Sequence, residues 1–200
     1  MDYSSLKASI SDWMVRSDLA TVLDDFIDFA EARLNREQRL RGMETALSET
    51  IASGVISVPS DYVELKHAYI DGTPVSALER VDADKIYQDF PYRTPTATPT
   101  CIAREGSSFI FGPYPNSGYT VKGIYYAAIA SLSATTTTNW WTDNEPDLLL
   151  AACCVEASRY VKDVDSLMLW EGRYKELSAE VKKKEKREQF SGRGLSMRLG

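Results

Sequence analysis

The sequence predicts an α+β fold, in which a helical bundle of four helices carries a small antiparallel β-insertion and an extended C-terminal arm. Three observations lead to this prediction. Apolar residues recur at helical spacing near both ends of the 200-residue chain. Short runs rich in β-branched and aromatic residues, separated by Gly, Pro and Asn, fill the middle. The last residues follow a run of lysines and contain too much glycine to hold a helix.

The same patterns predict the domain organisation. We expect the helical bundle to comprise residues 1–45 and 140–188, because the helical spacing of apolar residues is confined to these two ranges. Residues 46–139 are expected to form the β-insertion with its loops. Residues 189–200 are expected to form a flexible C-terminal docking arm.

Two amphipathic helices are predicted at the N-terminal end. The first covers residues 3–15, and the second covers residues 19–41 and begins at an N-cap formed by Ser17 or Asp18. Acidic residues early in the second helix and arginines late in it complement the helix dipole. The apolar positions of the two helices are Leu6, Ile10, Trp13 and Met14, then Leu19, Val22, Leu23, Phe26, Ala30 and Leu34.

The acidic side chains of the second helix are expected to lie mostly on faces other than the apolar one. They are Asp24, Asp25, Asp28 and Glu31. Asp24 and Asp28 are one helical turn apart, a spacing that would also suit a metal or acid–base pair. A solvated polar face explains the pattern without any ligand, and we adopt that interpretation.

The residue pattern in the middle of the chain predicts a small antiparallel β-unit. Residues 55–58 and 62–70 are predicted strands, and the second is followed by an Asp-Gly turn. Three more strand-like segments lie within residues 100–127. Polar loops are predicted at residues 91–100 and 131–139.

Two further helices are predicted near the C-terminal end. The third begins near Pro146 with Asp143 or Asn144 as its cap, and its nearly continuous apolar character predicts a central position. The fourth is predicted to begin at a cap formed by Asp165 or Ser166. Its apolar residues are Leu167, Trp170, Tyr174, Leu177 and Val181. Because this stripe ends at Val181, the following KKKEKRE segment is expected to face solvent or a partner.

Composition limits the class of protein. Hydrophobic residues make up 44% of the chain and charged residues 26%, which is typical of a globular protein with a packed core. The longest wholly apolar run, residues 148–155, is far shorter than the ~18–20 residues of a membrane helix. The N-terminus lacks the basic start and apolar stretch of a secretory signal. We therefore expect folding in a cytoplasm and no membrane contact.

The sequence contains no motif that indicates catalysis, a cofactor or a metal. His67 is the only histidine and lies in a predicted strand, and the three cysteines lack zinc-like spacing. Cys153 and Cys154 are adjacent in an apolar helical segment, which is typical of small core residues. Neither a G-x-S-x-G motif nor a Gly-rich phosphate-binding motif occurs. We predict no catalytic, cofactor-binding or metal-binding residues.

Charge is distributed unevenly along the chain. From Lys182 onward there are seven basic and two acidic residues, so this end carries +5 while the rest of the chain carries −11. An acidic body is not typical of a nucleic-acid-binding domain. We expect the basic end to meet an acidic surface on another protein or on a neighbouring copy. The residues predicted to form this partner-docking arm are Lys182, Lys183, Lys184, Arg187, Phe190, Arg193, Leu195, Met197, Arg198 and Leu199.

Five short motifs, in order, resemble those of the head-to-tail adaptor proteins of tailed bacteriophages. They start with an R-x-DL helix opening and an ARLNR segment, continue with P-x-DY and with P-x-P before a strand ending in YY, and finish with PDLLL. The resemblance extends from Leu6 to Leu177. The motifs lie at residues 16–19, 32–36, 59–62, 113–115 with 125–126, and 146–150.

The resemblance implies a structural virion protein rather than an enzyme. Such adaptors form a homo-oligomeric ring, typically of twelve copies, that binds the portal protein on one side and the tail tube or nozzle protein on the other. The C-terminal segment of the family, here residues 182–200, commonly contacts the portal or a neighbouring subunit. Genomic DNA would pass through the ring without specific binding. The expected location is the neck of the virion, after synthesis in the host bacterial cytoplasm.

Two alternatives remain open from the sequence. A virion-associated glycan-binding module would use tyrosines of the β-unit to stack on sugars, although core and interface packing explains these residues more simply. The tyrosines are Tyr114, Tyr119, Tyr125 and Tyr126. A cell-wall glycosidase would need only two carboxylates at the right separation, and no pattern singles out such a pair.

Overall fold

The computed structural model describes residues 1–91 and 96–190, with the last two of these described by their backbone alone. The described residues form six α-helices, one short 3-10 helix at Arg41–Met43 and nine β-strands. They divide into two compact units. One comprises Met1–Gly42 and the chain from Ile129 onward, and the other comprises Met43–Ala128.

The first unit is helical and is organised around one central helix. Its helices are α1 (Tyr3–Met14), α2 (Leu23–Glu37), α4 (Trp140–Asn144), α5 (Pro146–Val161) and α6 (Val164–Phe190). Helix α5 packs against each of the other four. The predicted central position of this helix is confirmed, because its apolar residues are buried on nearly all sides.

The second unit is built on a β-sheet. Its strands are β1 (Glu44–Thr50), β2 (Val55–Ser57), β3 (Tyr62–Ile70), β4 (Ser76–Arg80), β5 (Thr96–Ala97), β6 (Cys101–Glu105), β7 (Ser108–Gly112), β8 (Tyr114–Pro115) and β9 (Thr120–Ala127). Seven of them form one sheet in the order β1-β9-β3-β4-β6-β7-β2, while β5 and β8 pair separately. Helix α3 (Ala83–Asp89) lies between β4 and β5 in the chain and packs on β6 and β7.

The centre of the sheet follows the period of a half-buried strand. Strand β9 pairs antiparallel with both β1 and β3, and its alternate residues Val121, Tyr125 and Ala127 are buried. Gly123 of β9 allows close pairing with β3, because a Cβ there would lie 2.2 Å from the carbonyl oxygen of His67.

The predicted architecture of four helices with a small antiparallel β-insertion was wrong. The described residues contain six helices, and the β-region is a large mixed sheet. Strands β4 and β6 pair in parallel because the chain between them crosses over through α3, and β5 and β8 are parallel as well. Strand β1 gave no sequence signal because Leu47 is its only buried residue. Of the predicted loop at residues 91–100, four residues lie outside the described part of the chain.

Two of the predicted helix starts and one further predicted cap were also wrong. Asp18 does not cap α2; its carboxylate accepts hydrogen bonds from Arg16, and the helix begins only at Leu23. Helix α6 begins one residue after Asp163, whose carboxylate accepts the backbone N–H groups of Asp165 and Ser166. Helix α5 starts at Pro146 as predicted, but its N-cap residue is Glu145 and not Asp143 or Asn144, which lie in an additional helix, α4. Asn139 caps α4 through a capping box with Thr142.

Glu31, which the helical spacing placed away from the apolar face, is nevertheless buried and only 2% exposed. Its carboxylate accepts the backbone N–H of Leu132 at 3.0 Å and the side-chain amide of Asn139 at 2.6 Å. Asn35, one helical turn further along α2, exchanges two hydrogen bonds with the backbone of Ile129. Two side chains of α2 therefore hold the irregular segment 129–139 within the helical unit.

Candidate partner-docking surface

The predicted docking residues begin on the last turns of α6. Lys182, Lys183, Lys184 and Arg187 are all exposed there, and we call these four residues the basic end of α6. The helix continues through them to Phe190, so they are carried by regular backbone and not by an extended arm. The side chain of Phe190 lies outside the described part of the structure. So do the remaining predicted residues, Arg193, Leu195, Met197, Arg198 and Leu199.

Three polar contacts attach this end of α6 to the rest of the helical unit. Lys184 Nζ lies 2.7 Å from Glu145 Oε1, in the residue that joins α4 to α5. The backbone N–H of Arg41 donates to Glu185 Oε1, and the Arg41 side chain donates to the carbonyl oxygen of Glu188 at 3.0 Å. These contacts hold the last turns of α6 against Arg41, which precedes the β-unit, and against Glu145, which joins α4 to α5.

An apolar contact lies beneath these polar ones. Trp140 packs on the backbone of Gly42 so closely that a Cβ on the glycine would lie 2.1 Å from the indole Nε1. Both residues line a cavity of about 210 Å³ together with Val181 and Glu185 of α6. Gly42 is thus required by the close approach of the indole ring.

The four basic side chains differ in their surroundings. The hydrogen bond to Glu145 raises the pKa of Lys184, so this lysine stays charged and is engaged within its own chain. Lys183 and Arg187 have no hydrogen bond or ion pair within the part of the chain that the structure describes. Lys182 also has no hydrogen bond or ion pair among the described residues, but it lines a cavity together with Glu37 of its own chain. Lys183 and Arg187 are therefore the two cations of this surface that are best placed to meet an acidic partner.

Sequence reasoning missed the residues that hold this surface in place. Arg41 and Glu145 were not singled out, because each contacts a residue more than thirty positions away in the chain. Close packing of an indole on a glycine leaves no signal in a single sequence.

The tyrosines of the β-unit do not share one exposed face. Tyr125 is 5% exposed, stacks on Tyr62 and donates a hydrogen bond to Asp61. Tyr126, its neighbour in β9, points to the opposite face of the sheet. The hydroxyl of Tyr119 donates to Asn116 Oδ1 at 2.6 Å. The structure therefore does not bring these four rings together as a stacking platform.

The residues with catalytic potential occupy ordinary structural positions. His67 is exposed on β3. Cys153 and Cys154 are fully buried in α5; burial raises the pKa of Cys153 well above its ordinary value and that of Cys154 to about 12. Within residues 1–91 and 96–190 no group of three or more His, Cys, Asp and Glu side chains could hold a metal ion. None of the described helices is long and apolar enough to cross a membrane.

Comparison with known proteins identifies a family for the chain. A family model described as SU10 adaptor protein matches residues 1–198. No curated protein matches the chain. The family match covers both units and the basic end of α6, and it confirms the resemblance to the head-to-tail adaptors of tailed phages. The chain therefore belongs to the SU10 adaptor protein family.

Proposed function

We propose that this protein is a structural subunit of the phage neck that forms a ring between the portal protein and the tail machinery. Membership of an adaptor family supports a structural, connecting role. The ring, its expected twelve copies and its position follow from the resemblance to head-to-tail adaptors. In this proposal the C-terminal segment from Lys182 onward docks on the portal or on a neighbouring subunit.

The observation that carries the proposal is the attachment of the end of α6. Lys184 and Glu145, and Arg41 with Glu185, fix the last turns of the helix in the free protein. Lys183 and Arg187 are consequently presented at defined positions before any partner arrives. Less conformational entropy is then lost when Lys183 and Arg187 bind a partner, and this preorganisation favours binding.

The charge distribution supports contacts between unlike surfaces. The chain before Lys182 carries −11, so a basic end on one subunit is complementary to an acidic body on the next. A ring closes through such head-to-tail contacts when the rotation between subunits is right, and weak contacts add up through effective concentration. An acidic body would also let genomic DNA pass without binding its phosphates.

The other functions considered from the sequence have weaker support. A glycan platform requires exposed rings on one face, whereas Tyr125 is buried and Tyr126 lies on the other side of β9. A glycosidase requires a catalytic carboxylate, and the most buried one, Glu31, is engaged by Leu132 and Asn139 within the helical unit. We therefore assign no catalytic role.

A truncation tests the docking role of the C-terminal segment. A chain that ends at Glu188 should keep its cooperative unfolding transition, because the apolar stripe of α6 ends at Val181. It should no longer co-sediment with purified portal protein, whereas the full chain should. Equal portal binding by the two chains would rule out docking through residues 189–200.

A further inference from the structure

A positively charged recess lies on the helical unit between α2 and α6, and we call it the α2–α6 recess. Its volume is about 340 Å³. Three cations line it, Arg33 of α2 with Lys175 and Lys182 of α6, and Glu37 is the one acidic side chain among the described lining residues. A concave site lined mainly by one sign of charge attracts ligands of the opposite sign.

Two of these cations share one face of α6 with a serine. Lys175, Ser178 and Lys182 have the spacing i, i+3 and i+7, which places their side chains in one row along the helix. Each lysine is roughly 4.5–6 Å from Ser178 along the helix axis, since the helix rises about 1.5 Å per residue. The long side chains of both lysines can therefore reach one ligand bound at Ser178.

Ser178 gives the recess a polar floor. Its residue is only 7% exposed and yet lines the recess. The side-chain amide of Gln38, which is fully buried, donates from Nε2 to Ser178 Oγ at 2.8 Å. The hydroxyl hydrogen of Ser178 has no acceptor in the part of the chain that the structure describes. Because a buried donor without a partner is costly, this hydrogen indicates a ligand that offers an acceptor atom.

The charges around the recess leave the two lysines available to a ligand. Arg33 donates hydrogen bonds to both Glu37 and Glu171, so its charge is matched within the chain. Lys175 Nζ lies 3.8 Å from Glu171 Oε1, at the limit of an ion pair, and its side chain is 72% exposed. Lys182 has no hydrogen bond or ion pair among the residues that the structure describes. These five side chains together carry three positive and two negative charges, a net charge of +1.

We propose that the α2–α6 recess binds the carboxylate of an Asp or Glu side chain in an acidic segment of a partner protein. The carboxylate accepts the hydroxyl hydrogen of Ser178 and hydrogen bonds from Lys175 and Lys182, which are strong because these groups are charged. Its single negative charge balances the net charge of +1 around the recess.

A protein side chain fits this site better than the backbone of duplex DNA. A recess between two helices admits a protruding side chain, whereas a nucleic-acid-binding domain presents an extended basic surface, and the chain before Lys182 carries −11. The inference goes beyond the proposed function, because it requires neither a ring nor the C-terminal segment. Lys183 and Arg187 follow Lys182 by one and five residues, positions that do not share its face of α6.

Chemical coupling of an acidic peptide to the full-length chain tests this assignment. The probe is a hexaglutamate peptide with blocked termini, and a water-soluble carbodiimide joins its carboxylates to the lysine amines that they contact. Mass spectrometry then gives the yield at each lysine. The decisive variant is Ala179→Leu, because Ala179 lines the recess and is exposed, so the larger side chain fills the recess without a change of charge or of core packing. The matched control, Ala32→Leu, adds the same side chain at an exposed position of α2 outside the recess.

We expect coupling at Lys175 and Lys182 to exceed that at the exposed Lys162 and Lys183 by about tenfold, the effect of one hydrogen bond to a charged group. Ala179→Leu should remove this excess, whereas Ala32→Leu should couple as the natural protein does. Equal yields at the four lysines, or yields that Ala179→Leu leaves unchanged, would overturn the inference.

A second variant keeps the test independent of the folding of Ala179→Leu. Lys175→Gln with Lys182→Gln removes the two available cations, and its control, Arg36→Gln with Lys162→Gln, removes the same charge from two exposed positions. In fluorescence anisotropy with a labelled hexaglutamate peptide, the first should bind about tenfold more weakly than the control. Equal affinities would contradict the site. So would stronger displacement of the peptide by a short DNA duplex than by unlabelled peptide, which would assign the recess to phosphate groups.

Discussion

The guanidinium group of Arg33 on α2 lies over the ring of Tyr174 on α6, 4.0 Å from the ring centre. The same guanidinium donates two hydrogen bonds to Glu171 of α6, at 2.8 and 3.1 Å, and one to Glu37 at 3.0 Å. Tyr174 in turn donates its hydroxyl hydrogen to Glu37. Helices α2 and α6 both pack on α5, and this network joins them directly to each other.

Removal of Arg33 should therefore destabilise the helical unit. Its side chain is 13% exposed, and the substitution Arg33→Ala leaves Glu171 without its two strongest donors. We expect the free energy of unfolding to fall by about 1–3 kcal/mol, since hydrogen bonds to charged groups are lost together with the ring contact. Arg33→Lys should recover only part of this loss, because a lysine cannot form the two parallel hydrogen bonds.

Urea denaturation measures this effect, with Arg16→Ala as the matched control. Arg16 also donates two hydrogen bonds to a carboxylate, that of Asp18, but both side chains are largely exposed. An exposed pair contributes little to stability. Similar losses for Arg33→Ala and Arg16→Ala would contradict the structural role of the network.

Two glycines should respond in opposite ways to alanine. Gly42→Ala places a Cβ where the Trp140 indole now lies, so we expect a loss of about 1–3 kcal/mol from strain. Gly172→Ala lies in α6 with no atom within 4 Å of the new Cβ, and we expect a gain of about 0.5–1 kcal/mol from helix propensity. Thermal unfolding measures both, and a stable Gly42→Ala variant would show that Trp140 does not pack as described.

The buried carboxylate of Glu31 predicts a pH-dependent difference in stability. Burial raises the pKa of Glu31 above its ordinary 4.5, despite the hydrogen bonds from Leu132 and Asn139. Ionisation of Glu31 is thus more costly in the folded than in the unfolded state. The stability that the protonated carboxyl contributes is therefore fully present below pH 4.5, and it is lost as the pH rises through the raised pKa. The Glu31→Gln side chain cannot ionise, so the stability of this variant lacks the pH-dependent contribution of Glu31.

Comparison of the two proteins across pH isolates this effect from other titrating groups. We expect the unfolding free energy of the natural protein, relative to Glu31→Gln, to be higher at pH 4 than at pH 7. Glu31→Ala should be less stable than both by about 1–3 kcal/mol, because Leu132 and Asn139 lose their acceptor. A difference between the natural protein and Glu31→Gln that does not change with pH would show that Glu31 titrates normally.

Charge reversal at the basic end of α6 should weaken binding without affecting folding. Lys183→Glu with Arg187→Glu changes two exposed side chains that have no partner within the described residues. We expect portal binding to weaken roughly tenfold or more at low salt, and less at high salt. The matched control reverses Arg36 and Lys162, which are likewise exposed and have no side-chain hydrogen bond or ion pair within the described residues, and it should bind normally. Equal weakening in both variants would indicate a general effect of net charge.

Sequence patterns predicted those parts of the fold that depend on local spacing. The apolar positions Leu6, Ile10, Phe26 and Leu34 are buried as expected, because a 3.6-residue period fixes the face that a helix presents. Trp13 follows the same period in α1 and yet is exposed. The exposure of Trp13 depends on how far the neighbouring helices extend, and the apolar spacing within one helix carries no information about this.

Features set by distant residues could not be predicted from local patterns. Glu31 has the sequence context of a solvated helix residue, and its burial depends on Leu132 and Asn139, which lie about a hundred positions away. The parallel pairing of β4 with β6 depends on the crossover through α3, a helix too short to show a clear period. Similarly, the basic run after Val181 was recognisable, whereas its attachment through Arg41 and Glu145 was not.

Negative-stain imaging of purified portal protein mixed with the full-length chain tests the proposed function most directly. The proposal predicts a ring of additional density on one face of the portal, with twelve copies as the expected number. It also predicts that a chain ending at Glu188 gives portal particles without this ring. Portal particles that stay bare at every mixing ratio with the full-length chain would contradict the proposal.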